Sequence, residues 1–427
     1  MFVTSRWRLA GQGVWAILDQ AFFAGASFAL NLLLARWLGP AEYGLFGVAF
    51  TVFLLVSLVH SALVIEPLMV FGSGKYLPAF RRYVWRVLGL LAAVSACGAV
   101  LLFIAGLVLN QVEATTALVP LLLTLTWAGP CVILQWTMRR ACYVHRRPSV
   151  AATGGLLYLA LIIGLTVLAR ETVGLDARVA LMIMAVASVV VAAFLGVRLS
   201  LSLPADTGSD EDPSAAAVLR THWVFGRWVL ASSLLGWLSA DVYYLVLLPQ
   251  HGYEAAGAVR AAFNLVLPVL HVLTALSSVA LPWFVEYYRV GDVRRPALRF
   301  AALLTVLAVA YALVLELSAA IVIPLVYGEV FTKIRPLVTV FALQPVATAI
   351  SAALATALRS MERTRDMFMA TVVSAVAGIL FGVPLTYWLG GYGAAIAFVL
   401  NSAVYAVAVA WRLRRALRSE QAVGEAS

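Results

Sequence analysis

The chain has 427 residues, of which 63% are hydrophobic and 12% are charged, and its net charge is +10. A soluble domain of this size covers its surface with many more charged side chains, so this composition excludes an ordinary soluble protein. The basic residues are scattered over the whole chain and form no single patch, which indicates that the protein does not bind nucleic acid.

Apolar segments long enough to cross a membrane recur twelve times along the chain. A helix needs about 20 apolar residues to cross about 30 Å of hydrocarbon. A lone strand would leave its backbone groups unpaired in lipid, and the segments lack the two-residue alternation of a membrane barrel. The predicted helical spans are residues 14–37, 43–66, 87–109, 115–138, 149–169, 179–198, 223–248, 255–283, 299–324, 336–358, 367–389 and 391–411.

The basic residues predict an orientation, because cytoplasmic connections carry an excess of Lys and Arg. Of the 30 Lys and Arg residues, 24 fall at the termini and in or next to alternate connections, and Arg260, inside the eighth span, belongs to neither side. The opposite connections hold the other five, which are Arg36, Arg170, Arg178, Lys333 and Arg335. We therefore predict a multi-pass protein of the cytoplasmic (inner) membrane with both termini cytoplasmic and with membrane lipids as partners.

A polar connection divides the chain into two halves of six spans. The stretch PADTGSDEDPS lies between the sixth and seventh spans, and its Pro, Gly, Ser and acidic content is typical of a flexible linker. We predict an N-terminal six-helix lobe over residues 1–200, a cytoplasmic linker over 201–222, and a C-terminal six-helix lobe with a short cytoplasmic tail over 223–427.

Weak internal similarity supports this division. One constant shift, which we call the glycine register, pairs Gly39 with Gly252, Gly44 with Gly257, Ala49 with Ala262 and Phe50 with Phe263. A slightly longer shift, the arginine register, pairs Arg140 with Arg359, Arg146 with Arg365 and Ala151 with Ala370. Because each half has an even number of spans, the two halves run in the same sense, which is the repeat type that places a cavity between two bundles.

Four segments of the chain resemble a known family. They are LGPAEYG, SADVYYLVLL followed by HGYEAAG, YGEVFTKIRPLVTVFAL and GGYGAAIAFVLNSAV, and together they resemble the multidrug/oligosaccharidyl-lipid/polysaccharide exporter superfamily and its polysaccharide (Wzx-like) flippases. The resemblance covers most of the chain. It implies an all-α polytopic membrane protein with twelve transmembrane helices in two pseudo-symmetric six-helix lobes around a central cavity, moving an amphiphilic substrate. Arg260 departs from the family pattern, in which an uncharged residue is expected.

Motifs for enzyme chemistry are missing from the sequence. It contains no Gly-rich phosphate loop with Lys and Ser or Thr, no GxSxG nucleophile motif and no Cys, His or Asp cluster with metal-ligand spacing. A membrane-embedded glycosyltransferase or polymerase would need a large outer loop, and the predicted outer connections are short. We therefore expect no catalytic residues, no cofactor and no metal, and a protein that is not an enzyme.

Polar residues inside spans are the candidate site, because each costs at least ~2.5 to 3.5 kcal/mol at mid-bilayer unless it meets a cavity or a partner. In the first span, Gln20, Ser27 and Asn31 share one helix face, and Asp19 lies on its shoulder. Asn31 also fits a simple interhelical hydrogen bond. Asp19 also fits a position that meets water near the cytoplasmic end of the helix.

The eighth span carries the matching polar residues of the second half. Arg260, Asn264 and His271 follow each other at i, i+4 and i+11, and Pro268 bends the helix between the last two. Asp241, in the seventh span, is a nearby acid that could either pair with Arg260 or bind a coupling ion. Arg260 cannot face lipid unpaired, so the sequence favours a position at a cavity.

The predicted function is a flippase or exporter that translocates a lipid-linked oligosaccharide, the repeat unit of a polysaccharide, by alternating access. The family resemblance implies an undecaprenyl-pyrophosphate carrier and, as partners, glycosyltransferases and a polysaccharide polymerase. Predicted substrate-binding residues are Arg260, Asn264, His271, Gln20 and Asn31, with Arg260 facing phosphate because its guanidinium is suited to bidentate contacts. Asp19 and Asp241 are the predicted ion-coupling residues. The alternative is a multidrug or small-molecule cation antiporter of the same fold.

Overall fold

A computed structural model of the chain describes residues 2–200, 214–289 and 293–426. Every regular element in these ranges is a helix, which confirms the predicted fold class. The α-helices are α1 (Phe2–Leu38), α2 (Pro40–His60), α3 (Glu66–Gly72), α4 (Phe80–Leu109), α5 (Val119–Val144), α6 (Pro148–Thr172), α7 (Ala177–Ser200), α8 (Ala215–Ala240), α9 (Val242–Asn264), α10 (Leu267–Arg289), α11 (Arg294–Tyr327), α12 (Arg335–Phe341), α13 (Gln344–Ser360), α14 (Thr364–Ala377) and α15 (Val383–Ala426). Short π-helical turns cover Ser61–Ile65 and Gly378–Gly382, and 3₁₀ turns cover Leu77–Ala79, Glu113–Leu118 and Glu329–Ile334.

The described residues contain all twelve predicted spans. Eleven continuous helical stretches are long and apolar enough to cross a membrane. Two of them, Ala215–Asn264 with 50 residues and Thr364–Ser419 with 56, exceed the length of a single crossing. The backbone leaves the helical conformation at Gly252 in the first and at Gly390 in the second, so each stretch contains a break between predicted spans. The residues after Gly252 continue through Leu265 and Val266 into α10 and complete the eighth span.

The first of two compact units comprises Met1–Leu38 and Val48–Leu234. Within it, α1 packs on α6, and α5 packs on both α4 and α7. The beginning of α8 belongs to this unit because Gly226 lies against the π-helical turn of α2, where a Cβ would come within 2.4 Å of the Ala62 carbonyl oxygen. Of the predicted linker, residues 201–213 lie outside the described residues, and residues 215–222 are the first two turns of α8.

The second unit comprises Gly39–Gly47 and Leu235–Ser427. In it, α13 packs against α10, α11 and α15, and α9 packs against α15. The first turns of α2 belong to this unit although the rest of α2 belongs to the first. These boundaries differ from the predicted division at residues 201–222, and the six-plus-six lobe arrangement stays a prediction.

Two backbone details support the internal repeat and correct part of its register. Gly39 and Gly252, which are partners in the glycine register, both have positive φ, at 78° and 69°, a conformation that favours glycine. The α5–α6 and α13–α14 turns match Arg146 with Glu362, whose φ angles are 53° and 57°. Equivalent backbone bonds close the two turns, from Arg147 to Cys142 at 2.9 Å and from Arg363 to Leu358 at 3.0 Å. The arginine register, which paired Arg146 with Arg365, is therefore wrong, because side-chain identity alone slipped by nearly one helical turn.

Candidate functional site

A close crossing of α2 and α9 within the second unit positions the main candidate site. A Cβ atom at Gly44 would lie 1.7 Å from the carbonyl oxygen of Tyr253, and one at Gly257 would lie 2.1 Å from that of Pro40. The contact is reciprocal, since Pro40 and Tyr253 are also partners in the glycine register. The two helices therefore touch backbone to backbone, and only glycine fits at either position.

Arg260 lies almost one turn beyond this crossing on α9. Its Nη1 donates to the carbonyl oxygen of Gly47 at 3.3 Å, and its guanidinium carbon lies 5.8 Å from the centre of the Phe46 ring. A Cβ at Gly47 would come within 2.9 Å of the Arg260 Cδ. Gly47 is the counterpart of Arg260 in the glycine register. Because Gly47 has no side chain, it leaves room for the arginine at the equivalent position of the other repeat.

Polar and aromatic side chains surround the guanidinium. The Asn264 Nδ2 donates to the hydroxyl of Tyr43 at 2.7 Å, and both residues are buried. Asp241, half-buried in front of the first turn of α9, and the buried Tyr244 both interact electrostatically with Arg260. We call the set Tyr43, Asp241, Tyr244, Arg260 and Asn264 the Arg260 cluster. Arg260 itself is buried, with 9% of its surface exposed.

His271 does not continue the stripe formed by Arg260 and Asn264. The helix is interrupted at Leu265 and Val266, and His271 lies exposed on the next helix, α10. Pro268 lacks the N–H that an uninterrupted helix would use, which accounts for a break at this place. Arg260 and Asn264 are therefore brought together, and His271 lies apart from them.

A second charged cluster lies inside the first unit. Asp19 is fully buried, and the Arg139 Nε donates to its two carboxylate oxygens at 2.8 and 2.9 Å. The Tyr143 hydroxyl donates to the same carboxylate. The guanidinium carbon of Arg139 lies 4.3 Å from the centre of the Phe23 ring. Asp19 therefore does not meet water at the helix end, because α5 supplies it with a cation.

Sequence reasoning missed Arg139 and Tyr143. The fourth span was predicted to end at residue 138, whereas α5 continues to Val144, buries Arg139 and places the half-buried Tyr143 beside Asp19. One signal was available: a carboxylate within a span requires a partner, and Arg139 is the first basic residue after the fourth span.

The remaining predicted residues of α1 lie on the face next to Asp19. Gln20 and Ser27 are exposed and Asn31 is half-buried, with its Nδ2 donating to the Ser27 carbonyl at 2.8 Å. Glu316, an acid inside the predicted ninth span, accepts a hydrogen bond from Thr339 at 2.8 Å. Among the described residues, no three His, Cys, Asp or Glu side chains are grouped so that they could hold a metal ion.

Charged clusters buried inside membrane-spanning helices, in an otherwise apolar all-helical protein, are typical of the transporter class of polytopic membrane proteins. The sequence profile of the family named "Polysaccharide biosynthesis protein" matches residues 33–336, and the chain belongs to this family. No curated protein sequence matches it.

Solved structures of membrane transporters share the fold of this chain. The lipid II flippase MurJ, in an inward closed conformation, has a TM-score of 0.69 at 14% identity, covering 93% of this chain and 87% of that one. A multidrug resistance MATE family transporter in an inward-facing conformation has a TM-score of 0.67 at 16% identity, covering 95% and 99%. A superfamily transporter from Pyrococcus furiosus has 0.65 at 16% identity, covering 96% of each chain. The chain therefore combines membership of a polysaccharide biosynthesis family with the helical fold of these membrane transporters.

Proposed function

We propose that the protein is a flippase that moves a lipid-linked oligosaccharide from the cytoplasmic to the outer leaflet of the inner membrane by alternating access. Membership of a polysaccharide biosynthesis family supports this substrate class, and so does the fold shared with a lipid II flippase. The sugar and phosphate head of such a lipid cannot cross hydrocarbon unaided, because its charges and hydroxyls would lose their hydration. An undecaprenyl-pyrophosphate carrier would present two phosphates to the protein.

The observation that carries the proposal is the guanidinium of Arg260 inside a membrane helix. Its partners include the Gly47 carbonyl oxygen, the Phe46 ring and the Tyr43 hydroxyl, and Asp241 acts on it electrostatically. The fixed planar fork of the guanidinium suits a phosphate. Asn264 in the same cluster would orient the guanidinium and bind hydroxyls. His271, exposed on α10, and Gln20 and Asn31, on the more open face of α1, are the further sugar-binding candidates.

Asp19 and Asp241 remain the proposed ion-coupling residues, with different expectations. Asp19 already has Arg139 as a counter-ion, so taking up a proton or sodium ion there requires the ion pair to loosen. Asp241 is half-buried and shares the electrostatic field of Arg260, so substrate phosphate at Arg260 would change the charge balance at Asp241 directly. Asp241 is therefore the stronger candidate for coupling transport to an ion gradient.

A multidrug or cation antiporter is the second candidate, favoured by the likeness to MATE transporters and by the two buried or half-buried acids. An antiporter of cationic drugs needs acidic and aromatic contacts for its substrate, and Arg260 would repel a cation. The two candidates therefore predict opposite consequences for removal of Arg260: loss of polysaccharide export in one case, and unchanged or improved cation export in the other.

The test replaces Arg260 in a strain whose surface polysaccharide depends on this protein. We expect Arg260→Ala to abolish surface polysaccharide at normal membrane abundance, and Arg260→Lys to restore part of it, since lysine keeps the charge and loses the planar fork. Asn264→Ala is the comparison variant within the cluster: it removes the hydrogen bond to Tyr43 and keeps the guanidinium, so we expect a weaker loss than for Arg260→Ala.

The amount of protein in the membrane distinguishes a substrate-binding role of Arg260 from a purely structural one. If Arg260 serves only as the partner of Asp241, Arg260→Ala lowers abundance and the double change with Asp241→Ala restores it, because both orphan charges are gone. Undiminished polysaccharide at normal abundance in the Arg260→Ala strain would contradict the flippase proposal.

A further inference from the structure

A groove at one end of the second unit combines three arginines with an apolar floor. It has a volume of about 410 Å³ and is formed by the first turns of α11, a residue of α13 and the late turns of α15. Its lining includes Arg294, Ala297, Leu298, Leu413, Arg414 and Arg418. None of them belongs to the Arg260 cluster or to the Asp19 cluster.

The three arginines lack an internal counter-ion among the described residues. All three are exposed, no described acid lines the groove, and no described carboxylate forms an ion pair with Arg294, Arg414 or Arg418. A neighbouring site behaves differently, because Asp366 pairs with Arg363 at 3.9 Å and with Arg412 at 3.2 Å. The N-terminus of α11 adds partial positive charge beside Arg294. The groove is therefore a concave anion site.

The apolar floor of the groove suits a ligand that has an apolar part as well as an anionic group. Ala297, Leu413 and Leu354 are buried beneath the groove, while Leu298 remains 56% exposed at its edge. Free phosphate would gain nothing from these side chains, whereas a phospholipid brings an anionic phosphate and acyl chains on one molecule. All three arginines also lie on the predicted cytoplasmic side, where anionic lipids concentrate.

We propose that this groove binds an anionic phospholipid, with the phosphate on Arg294, Arg414 and Arg418 and the first acyl carbons on Leu298 and Leu413. Phosphatidylglycerol is a suitable probe. Bound lipid would hold the end of α15 against the start of α11, so binding raises the melting temperature of the protein.

The experiment titrates purified full-length protein in neutral detergent with phosphatidylglycerol, phosphatidylcholine or inorganic phosphate and follows the melting temperature. The site variant is Arg294→Gln with Arg414→Gln and Arg418→Gln. The control variant has the same charge change at exposed arginines outside the groove, Arg289→Gln with Arg295→Gln and Arg299→Gln. We expect the apparent affinity for phosphatidylglycerol to fall roughly a hundredfold in the site variant and to stay unchanged in the control variant.

A single substitution tests the same groove in case the triple variant does not fold. Leu298→Asp changes one exposed side chain, keeps all three arginines and places a carboxylate beside them, so it should fold and lose most of the response to phosphatidylglycerol. Equal responses of wild type and site variant, or equal losses in site and control variants, would overturn the proposal. Stabilisation by inorganic phosphate as strong as that by phosphatidylglycerol would overturn the lipid assignment.

Discussion

Side chains of complementary size, at positions paired in the glycine register, allow α2 and α9 to pack closely in the second unit. Gly44 and Gly257 bring the two backbones into contact, and Gly47 makes room for Arg260, its counterpart in the other repeat. The repeats therefore diverge where they touch, with one supplying the space and the other the charge. We therefore expect a side chain at Gly44 or Gly257 to displace Arg260.

We predict that Gly44→Val or Gly257→Val disrupts the crossing of α2 and α9. A side chain at either position overlaps a backbone carbonyl, which cannot move aside as a side chain can, so we expect destabilisation of more than ~3 kcal/mol and loss of membrane abundance. Gly89→Val is the control, because a Cβ at Gly89 meets nothing within 4 Å on the exposed side of α4. Normal abundance of the Gly257→Val variant would show that the crossing is looser than described.

At the scale of elements, a π-helical turn connects α2 with α8 inside the first unit. Within the turn Ser61–Ile65, the Leu63 carbonyl oxygen accepts a hydrogen bond from Nδ1 of His222 at 2.7 Å. Because a carbonyl can only accept, the Nε2 of a neutral His222 receives the Tyr83 hydroxyl, at 2.8 Å. These bonds explain why the beginning of α8 packs with the first unit.

The Asp19–Arg139 pair connects α1 and α5 and gives the element-scale prediction. Asp19→Ala or Arg139→Ala leaves one charge buried without its partner, and we expect each to cost ~3 to 5 kcal/mol and to lower the melting temperature. The double change Asp19→Leu with Arg139→Leu should recover most of that loss. Arg140→Ala, one residue further along α5, removes the same charge and serves as the control. Additive losses in the double variant would show that the two residues do not act as a pair.

For the whole molecule, the division of basic residues is the evidence for orientation. Single cysteines, in a background in which Cys97, Cys131 and Cys142 are replaced, test it with a reagent that cannot cross the membrane. We expect labelling from outside at Thr116, Gln250 and Leu389 and none at Gly74, Arg295 and Arg365. The reversed pattern would place both termini outside and would contradict the predicted direction of transport.

The number of spans, the charge bias of their connections and the glycine register were readable from the sequence, because hydropathy, charge and turn glycines are local properties. Gly39 and Gly252 could be paired from their context alone, and their shared positive φ agrees. The arginine register was less reliable, because it matched arginine side chains. The equivalent turns share a backbone conformation at Arg146 and Glu362 and do not need an arginine at the same place.

Only the tertiary structure decided which polar residues meet. Asp19 finds Arg139 across 120 residues and Asn264 finds Tyr43 across 221, while His271, predicted to share their role, lies exposed. A helical pattern fixes the face of a residue on its own helix and leaves open which neighbour covers that face. Pairing of charges in a membrane protein depends on that neighbour, because lipid offers a buried charge no other partner.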